Sequence, residues 1–294
     1  MNRLDPNALF ARIATDIPSE LHRYLFVTGS LAAAYHFQAR LEDRANNTKD
    51  ADLVVHPAGA VDSCRHTARA LLDLGWTRTA ECYPKPSPDP VDELRAIRLY
   101  PPGSHDYFIV FLNLPQRQQT EPKRWIPLEM DDGWYGLPSF RFLGVSFLNR
   151  LTSSVGLEYA SPSMMALANL LSHPRVGSNR IESGPMQGLL RSAKDLGRVI
   201  ALARLAGREE TELWPKTWLE ALKDCFPEEW KNLAARVGDG LRELLDDDNA
   251  LEDARKTTDV GLLSGMGVMA EMLKASGERL FLDVIDPLAD MARS

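Results

Sequence analysis

The sequence predicts a mixed α/β domain with flanking helices, followed by a mainly helical C-terminal domain. Between residues 24 and 113, short apolar runs typical of strands alternate with helical patterns. Beyond residue 160 the apolar residues recur almost only at helical spacing. The 294 residues suffice for two ordinary domains with cores of their own. We therefore predict an α/β domain over residues 1–160 and a helical domain over residues 161–294.

The composition is that of a globular protein, with 44% hydrophobic and 26% charged residues. No apolar run reaches the roughly 18–20 residues that cross a bilayer, and residues 1–21 lack a signal-peptide core, so we expect no membrane association. The scattered Cys64, Cys82 and Cys225 predict no disulfide framework and favour a reducing cytoplasm. The net charge of −7 argues against indiscriminate nucleic-acid binding but is compatible with a local basic groove.

The α/β domain is predicted to alternate helices and strands up to residue 74. Its expected elements are a helix over 6–21, a strand over 24–30, a helix over 31–41, a strand over 50–55 and a helix over 60–74. The polar residues 42–49 are a predicted loop. LRAIRLYP and HDYFIVFLNLP are predicted to form a hairpin. We expect an irregular Trp- and Pro-bearing stretch to residue 136, then a short helix over 140–151.

The C-terminal domain is predicted to begin with a helix at Ser161 and Pro162, a pair typical of a helix start. Further helices are expected over 187–206, 217–225, 228–245 and much of 260–293.

The most informative pattern is Asp-x-Asp at the start of the strand DADLVV. Residues two apart on a strand project from the same face, so Asp50 and Asp52 direct both carboxylates to one point and Ala51 points the other way. Two adjacent carboxylates repel each other unless a cation lies between them. Mg²⁺ suits this pair because it takes one or two carboxylates together with substrate phosphates. The alternative is that both aspartates are merely solvated residues at a strand end.

The Gly-Ser turn that follows the first predicted strand fits a phosphate group. Gly29 lets the backbone approach a ligand closely, and Ser30 offers a hydroxyl and an amide at a helix start, where the helix dipole favours an anion. With the two aspartates, these residues predict a site for a nucleoside triphosphate and one or two Mg²⁺ ions.

The segments YLFVTGSLAAAYH and NTKDADLVV resemble the hG[GS]…D-x-[DE] signature of the nucleotidyltransferase superfamily. The downstream FRFLGVSFLNRLTSSVGLEYASPSMMALANLLSH and RSAKDLGRVIALARL resemble a bacterial group related to toxins of abortive-infection and toxin–antitoxin systems. The resemblance implies a mixed-sheet nucleotidyltransferase core that moves a nucleoside monophosphate from an NTP to a hydroxyl acceptor. It implies that Gly29 and Ser30 hold the triphosphate and that Asp50 and Asp52 hold Mg²⁺.

The superfamily pattern also implies a third carboxylate, on a later strand beside the aspartate pair, that activates the attacking hydroxyl. Asp106 is the candidate, because it shares a strand face with Phe108 and Val110. Two alternatives stay open: Asp106 is an exposed residue at the end of a hairpin, or the family's acidic position falls on Val110.

A basic stripe is predicted in the helical domain. Arg191, Lys194 and Arg198 lie at i, i+3 and i+7 and so share one helix face. This face is expected to contact the triphosphate or the phosphates of an RNA acceptor, or else to be a solvated surface. The resemblance adds that Lys194-Asp195 matches a Lys-Asp pair of the related proteins.

Three functional hypotheses follow from these observations. The first is an active nucleotidyltransferase whose acceptor is tRNA, a protein or a small molecule. The second is a catalytically silent fold of the same kind that binds a nucleotide or a protein partner. The third is a role in a toxin–antitoxin pair that is independent of nucleotide.

Overall fold

The protein is described here by a computed structural model that covers residues 5–41, 50–117, 119–176, 179–181 and 186–294. The chain divides into two compact units. The first comprises Met1–Tyr35 and Asn47–Ala160, and the second comprises His36–Asn46 and Ser161–Ser294. The described residues 36–41, which the sequence analysis places in the first domain, are thus grouped with the second unit. The predicted loop over 42–49 lies outside the described residues.

The first unit is mixed α/β and the second is mainly helical, as the sequence predicts. The strands that occur within the described ranges are β1 Leu25–Thr28, β2 Asp50–Val55, β3 Thr77–Arg78, β4 Arg98–Tyr100, β5 Phe108–Asn113, β6 Lys123–Met130, β7 Gly133–Phe140, β8 Leu151–Thr152 and β9 Glu158–Tyr159.

The α-helices within the same ranges are α1 Pro6–Asp16, α2 Gly29–His36, α3 Gln38–Leu41, α4 Val61–Asp73, α5 Pro162–Val176, α6 Arg191–Ala206, α7 Arg208–Thr211, α8 Trp214–Cys225, α9 Trp230–Arg236, α10 Asp239–Asp246, α11 Asp248–Val260, α12 Ala270–Leu280 and α13 Asp286–Arg293. In the described part of the chain, no helix is both long enough and apolar enough to span a membrane.

The first unit is built on a mixed sheet with the strand order β3–β4–β5–β2–β1–β9–β8. At its centre β2 pairs antiparallel with β1 and parallel with β5. A parallel pair needs a long crossover, and α4 lies within the segment that connects β2 to β5. The central strands are mostly buried, with α4 in contact with β2 and β7 in contact with β5, which explains the nearly continuous apolar runs of β1 and β5.

The predicted irregular stretch before residue 136 is wrong. Residues of β6 and β7 instead form a two-stranded antiparallel ribbon, in which Trp125 pairs with Pro138 and Pro127 with Gly136. Proline cannot donate a ladder hydrogen bond and is tolerated on edge strands. The other side of β7 forms isolated bridges through Trp134 to Lys85 and through Gly136 to Ala96, and neither bridge involves a proline, so the prolines that suggest a loop are compatible with this pairing. The predicted short helix after it is a 3₁₀ helix over Arg141–Phe147.

Two helix predictions in the second unit need correction, and one helix of this unit is not predicted. The expected helix over 228–245 is two helices, α9 and α10, that break next to Gly238, where a side chain would collide with Phe281 and Ile285. The sequence analysis leaves α11 out; the Asp247 carboxylate caps it by accepting from the amides of Asn249 and Ala250. The expected helix over 260–293 begins only at α12, and a π-helical turn, Phe281–Ile285, joins α12 to α13.

The second unit packs around α6, which contacts α5, α11 and α12. The close approach of α6 and α11 occurs at Gly197, where an added Cβ would lie 3.0 Å from the Ala254 carbonyl oxygen. The buried Trp218 fixes α8 to the start of α5, because its indole N–H donates to the Ser163 hydroxyl at 2.9 Å. These contacts give the unit an apolar core of its own.

Candidate functional site

The turn between β1 and α2 forms one half of the candidate site. The four residues of β1 are buried, and the helix begins directly after them at Gly29 with φ +73°. Glycine adopts this left-handed backbone conformation without the steric cost that other residues incur. Ser30 is half-buried in the first turn, and the small apolar residues that follow it bury α2 in the unit.

The aspartate pair on β2 forms the other half. Asp50 and Asp52 are half-buried, whereas Ala51 between them is fully buried on the opposite face. The antiparallel ladder pairs Asp52 with Thr28, the residue that precedes Gly29. The strand register therefore brings the predicted phosphate-binding turn and the predicted metal-binding carboxylates to the same edge of the sheet.

Gly29 and Asp52 are in direct contact at this edge. A Cβ atom built on Gly29 would collide with Oδ2 of Asp52 and would lie 3.4 Å from its Cγ. Glycine is thus needed here for two reasons, the positive φ and the close approach of the carboxylate. The structure shows that Gly29 admits the Asp52 side chain against the helix start, and its role in admitting a phosphate stays a prediction.

The position beside the aspartate pair on the next strand is apolar. The parallel ladder pairs Asp50 with Phe108 and Asp52 with Val110, whose side chain is almost fully buried. Asp106 lies two residues before β5, is exposed, and exchanges hydrogen bonds with the Ser104 hydroxyl at 3.0 and 3.2 Å. Of the two open alternatives, Val110 is therefore the direct strand neighbour of Asp52.

Arg98 is a residue of this sheet face that the sequence analysis does not single out. It pairs with Val110 across β4 and β5, so Thr28, Asp52, Val110 and Arg98 form one row across four strands. Directly paired residues project from the same face, and two strand spacings separate Arg98 from Asp52 by roughly 10 Å. A guanidinium at this distance is within reach of a ligand that lies on the Asp52 carboxylate. Only the strand pairing reveals this relationship, because the two residues are far apart in the sequence.

The donor set at this edge suits a hard cation. Two carboxylates on one strand face match the ligands that Mg²⁺ takes from a protein when substrate phosphates complete its coordination. Among the described residues, no group of three or more His, Cys, Asp and Glu side chains converges as it would around a metal ion. The residues present therefore fit a cation that is shared with a phosphate ligand, rather than a cage made by the protein alone.

The basic stripe belongs to the second unit, whereas Gly29, Ser30, Asp50 and Asp52 belong to the first. On α6, Arg191 is exposed and Lys194 and Arg198 are half-buried. The buried residues of the same helix, such as Leu196 and Ile200, project from a different face, as the helical spacing predicts.

Comparisons of the chain with protein-family models, with curated proteins and with solved structures find no match. The resemblance of the Gly-Ser and Asp-x-Asp motifs to nucleotidyltransferases accordingly stays a prediction. The structural observation that supports this prediction is the contact between the two motifs, which lie about twenty residues apart in the sequence.

Proposed function

We propose that the first unit binds a nucleoside triphosphate with Mg²⁺ at Gly29, Ser30, Asp50 and Asp52, and transfers the nucleoside monophosphate to a hydroxyl acceptor. The contact between Gly29 and the Asp52 carboxylate carries this proposal. Through it, a helix start whose amides suit phosphate adjoins carboxylates that suit Mg²⁺. The resemblance of both motifs to the nucleotidyltransferase signature supports the same assignment.

Each residue has a separate role in the proposed site. Asp50 and Asp52 hold the cation through carboxylate oxygens, and the Ser30 hydroxyl with the amides of the first turn of α2 binds phosphate oxygens. Arg98, on the same sheet face, offsets negative charge on the triphosphate. When bound, Mg²⁺ neutralises phosphate charge and polarises the group that is transferred.

The proposed reaction joins the acceptor oxygen to the α-phosphorus and breaks the bond between that phosphorus and pyrophosphate. The proton of the acceptor hydroxyl passes to solvent, because Val110 at the neighbouring strand position carries no base.

The acceptor classes are a tRNA 3′ end, a protein side chain and a small molecule such as an aminoglycoside. The stripe of Arg191, Lys194 and Arg198 on the second unit is a separate candidate surface for the phosphates of a nucleotide or an RNA. We also propose a cytoplasmic location, because Cys64, Cys82 and Cys225 are scattered along the sequence in a pattern that predicts no disulfide framework.

A second function is favoured by the same Val110. A nucleotidyltransferase-like unit without a third carboxylate beside Asp52 suits the binding of a nucleotide without its transfer. In this case the protein binds another macromolecule in a nucleotide-dependent manner, for example the other member of a toxin–antitoxin pair.

A transfer assay separates the two functions. The protein is incubated with each NTP labelled at the α-phosphate, Mg²⁺, and either tRNA, no added acceptor or an aminoglycoside, and both label transfer and pyrophosphate are measured. The comparison uses Asp52→Asn and, as a matched control, Asp62→Asn, which removes an exposed carboxylate from α4. Transfer that is lost in Asp52→Asn and kept in Asp62→Asn supports the enzyme. Mg²⁺-dependent binding of an NTP without pyrophosphate release supports the second function, and the absence of both contradicts the site.

A further inference from the structure

The second unit contains a cleft of about 160 Å³ that is distinct from the proposed nucleotide site. Its walls come from the C-terminal end of α6, from α7, and from α12 with the π-helical turn that follows it. Arg204, Arg208 and Arg279 contribute guanidinium groups to the lining, and Thr211 and Ser276 contribute hydroxyls. We refer to this feature as the arginine cleft.

The lining concentrates positive charge in an acidic protein. The lining residues include three arginines and the carboxylate of Asp283, a sum of +2 that falls to +1 when Glu212, which is bonded to Arg208, is counted, whereas the whole chain carries −7. Arg279 donates to Asp283 at 3.1 Å, and Arg208 donates to Glu212 at 2.6 Å. Exposed pairs of this kind are worth only about 0–1 kcal/mol, so an incoming anion can replace the carboxylate at little cost.

Arg204 is held in the cleft by a neutral group, since its guanidinium donates to the Ser276 hydroxyl at 3.1 Å. A cation also offsets the partial negative charge at the C-terminal end of α6. Arg40 donates to the carbonyl oxygens of Leu205 and Ala206, in the last turn of the helix. The negative end of a helix dipole would otherwise disfavour an anion near Gly207, which lines the cleft.

We propose that the arginine cleft binds a single phosphate group, either as free phosphate or as the end of a small phosphate monoester. Near neutral pH a phosphate monoester carries about 1.5–2 negative charges on three terminal oxygens, and free phosphate has four such oxygens, so either can accept from the three guanidiniums of this cationic cleft. A carboxylate offers one charge and two oxygens and so satisfies fewer of these donors. Guanidinium groups bind phosphate through parallel hydrogen bonds.

The size of the cleft supports a group of this kind. Its volume of about 160 Å³ is several times the roughly 10–15 Å³ of cavity volume that is needed to hold one water molecule. It is smaller than the roughly 300–1,000 Å³ of sites that enclose a whole drug-sized ligand. One phosphate group therefore fits inside, whereas the rest of a larger molecule would remain in solvent.

Titration calorimetry on the full-length protein tests this proposal with three probes at constant ionic strength: inorganic phosphate, glycerol phosphate and acetate. Arg204→Gln and Arg279→Gln are compared with wild type, because both arginines are exposed and their replacement leaves the core intact. Arg236→Gln is the matched control: Arg236 is exposed and bonded to Asp239 within the same unit, and it is not among the residues that line the cleft. Circular dichroism verifies that each variant is folded.

The expected result is saturable binding of phosphate or of glycerol phosphate, with a Kd that rises at least about tenfold in each cleft variant and stays unchanged in Arg236→Gln. Tighter binding of free phosphate identifies it as the occupant, and tighter binding of glycerol phosphate identifies a monoester. Equal binding of acetate, or binding that survives both cleft substitutions, would overturn the proposal. Because Arg204 lies outside the proposed nucleotide site, Mg²⁺-dependent NTP binding should persist in Arg204→Gln, which keeps the two proposals separable.

Discussion

Gly29 and Asp52 occupy adjoining space, since a Cβ on the glycine would overlap Oδ2 of the aspartate. Asp52 pairs with Thr28 in the β1–β2 ladder, so the backbone register enforces this contact. The contact joins Gly29, whose backbone is left-handed at the start of α2, to the face of β2 that carries the carboxylates. It has consequences for stability and for ligand binding that can be measured separately.

The substitution Gly29→Ala is expected to lower both stability and nucleotide binding. The left-handed φ of +73° costs an alanine about 1–2 kcal/mol, and displacement of the Asp52 side chain adds about 1–3 kcal/mol of overpacking. Urea denaturation measures the free energy of unfolding, and the Mg²⁺-dependent thermal shift with NTP measures binding.

Gly103→Ala is the matched control for this substitution. Gly103 has a similar φ of +76°, but no neighbouring atom lies within 4 Å of a Cβ built there. This variant should lose only the backbone term of about 1–2 kcal/mol and should bind nucleotide normally. Equal destabilisation of the two variants would show that the contact with Asp52 is unimportant.

Val110→Asp should place a third carboxylate beside Asp52. Val110 is 7% exposed, so the new charge is expected to destabilise the metal-free protein by about 2 kcal/mol or more. A bound divalent cation relieves the repulsion, and Mg²⁺ should therefore restore much of the lost stability. Unfolding curves with and without millimolar Mg²⁺ measure this recovery.

Val110→Asn supplies the comparison, because it buries a similar polar group without adding charge. It should be destabilised to the same or a lesser degree, and Mg²⁺ should not rescue it. If Mg²⁺ stabilises both variants equally, or neither, the position of Val110 beside a metal-binding pair is refuted.

Arg98→Gln is expected to weaken nucleotide binding about threefold to tenfold, because it removes a cation from the row that contains Asp52. Arg98 lies 3.6 Å from Glu81 in a largely exposed pair, so its loss should scarcely affect folding. Arg12→Gln on α1 removes a similarly exposed, acid-paired arginine from the same unit and should leave binding unchanged. An NTP affinity that is equal in the two variants would remove Arg98 from the site.

Acid should destabilise the first unit through His56. Burial and then the neighbouring Arg150 hold the pKa of His56 below its ordinary value of about 6.5. The centroids of the His56 and Phe147 rings lie 4.8 Å apart, and Nε2 of His56 has no hydrogen-bond partner among the described residues. The unfolded chain takes up a proton near pH 6.5 while the folded state resists it. Stability is thus fully present above that pH and falls as the pH drops through the lowered pKa.

Urea unfolding at pH 8 and pH 5.5 measures this effect. The difference in stability between the two pH values should shrink in His56→Gln, which cannot be protonated. The exposed His66 provides the control, and His66→Gln should keep the difference seen in wild type. A difference that is unchanged in His56→Gln would contradict the assigned role.

Local patterns in the sequence predict much of the fold. The strand Asp50–Val55 and the change to an almost wholly helical chain after residue 160 follow from apolar spacing and are confirmed. The ribbon of β6 and β7 is missed because Pro127 and Pro138 suggest a loop, whereas in the observed ladder each proline lies opposite a residue of the partner strand. Such a tertiary arrangement is invisible to a pattern that is read one segment at a time.

The candidate site likewise has a part that local sequence patterns predict and a part that depends on strand pairing. The common face of Asp50 and Asp52 follows from the two-residue strand period, which is a local property. That Val110 and Arg98 extend the row from Asp52 depends on which strands pair and in which register. Asp106 is a reasonable sequence candidate, but β5 begins only at Phe108, and the register therefore brings Val110 rather than Asp106 next to Asp52.

The most direct test of the central claim is a thermal-stability titration of the purified protein with each of the four NTPs, with and without Mg²⁺. At least one NTP is expected to give a Mg²⁺-dependent stabilisation, of about 2.7 kcal/mol at a hundredfold excess over Kd. This stabilisation should vanish in Asp52→Asn and persist in Asp62→Asn. The absence of any Mg²⁺-dependent shift, or an equal shift in Asp52→Asn, would contradict a nucleotide and metal site at Gly29 and Asp52.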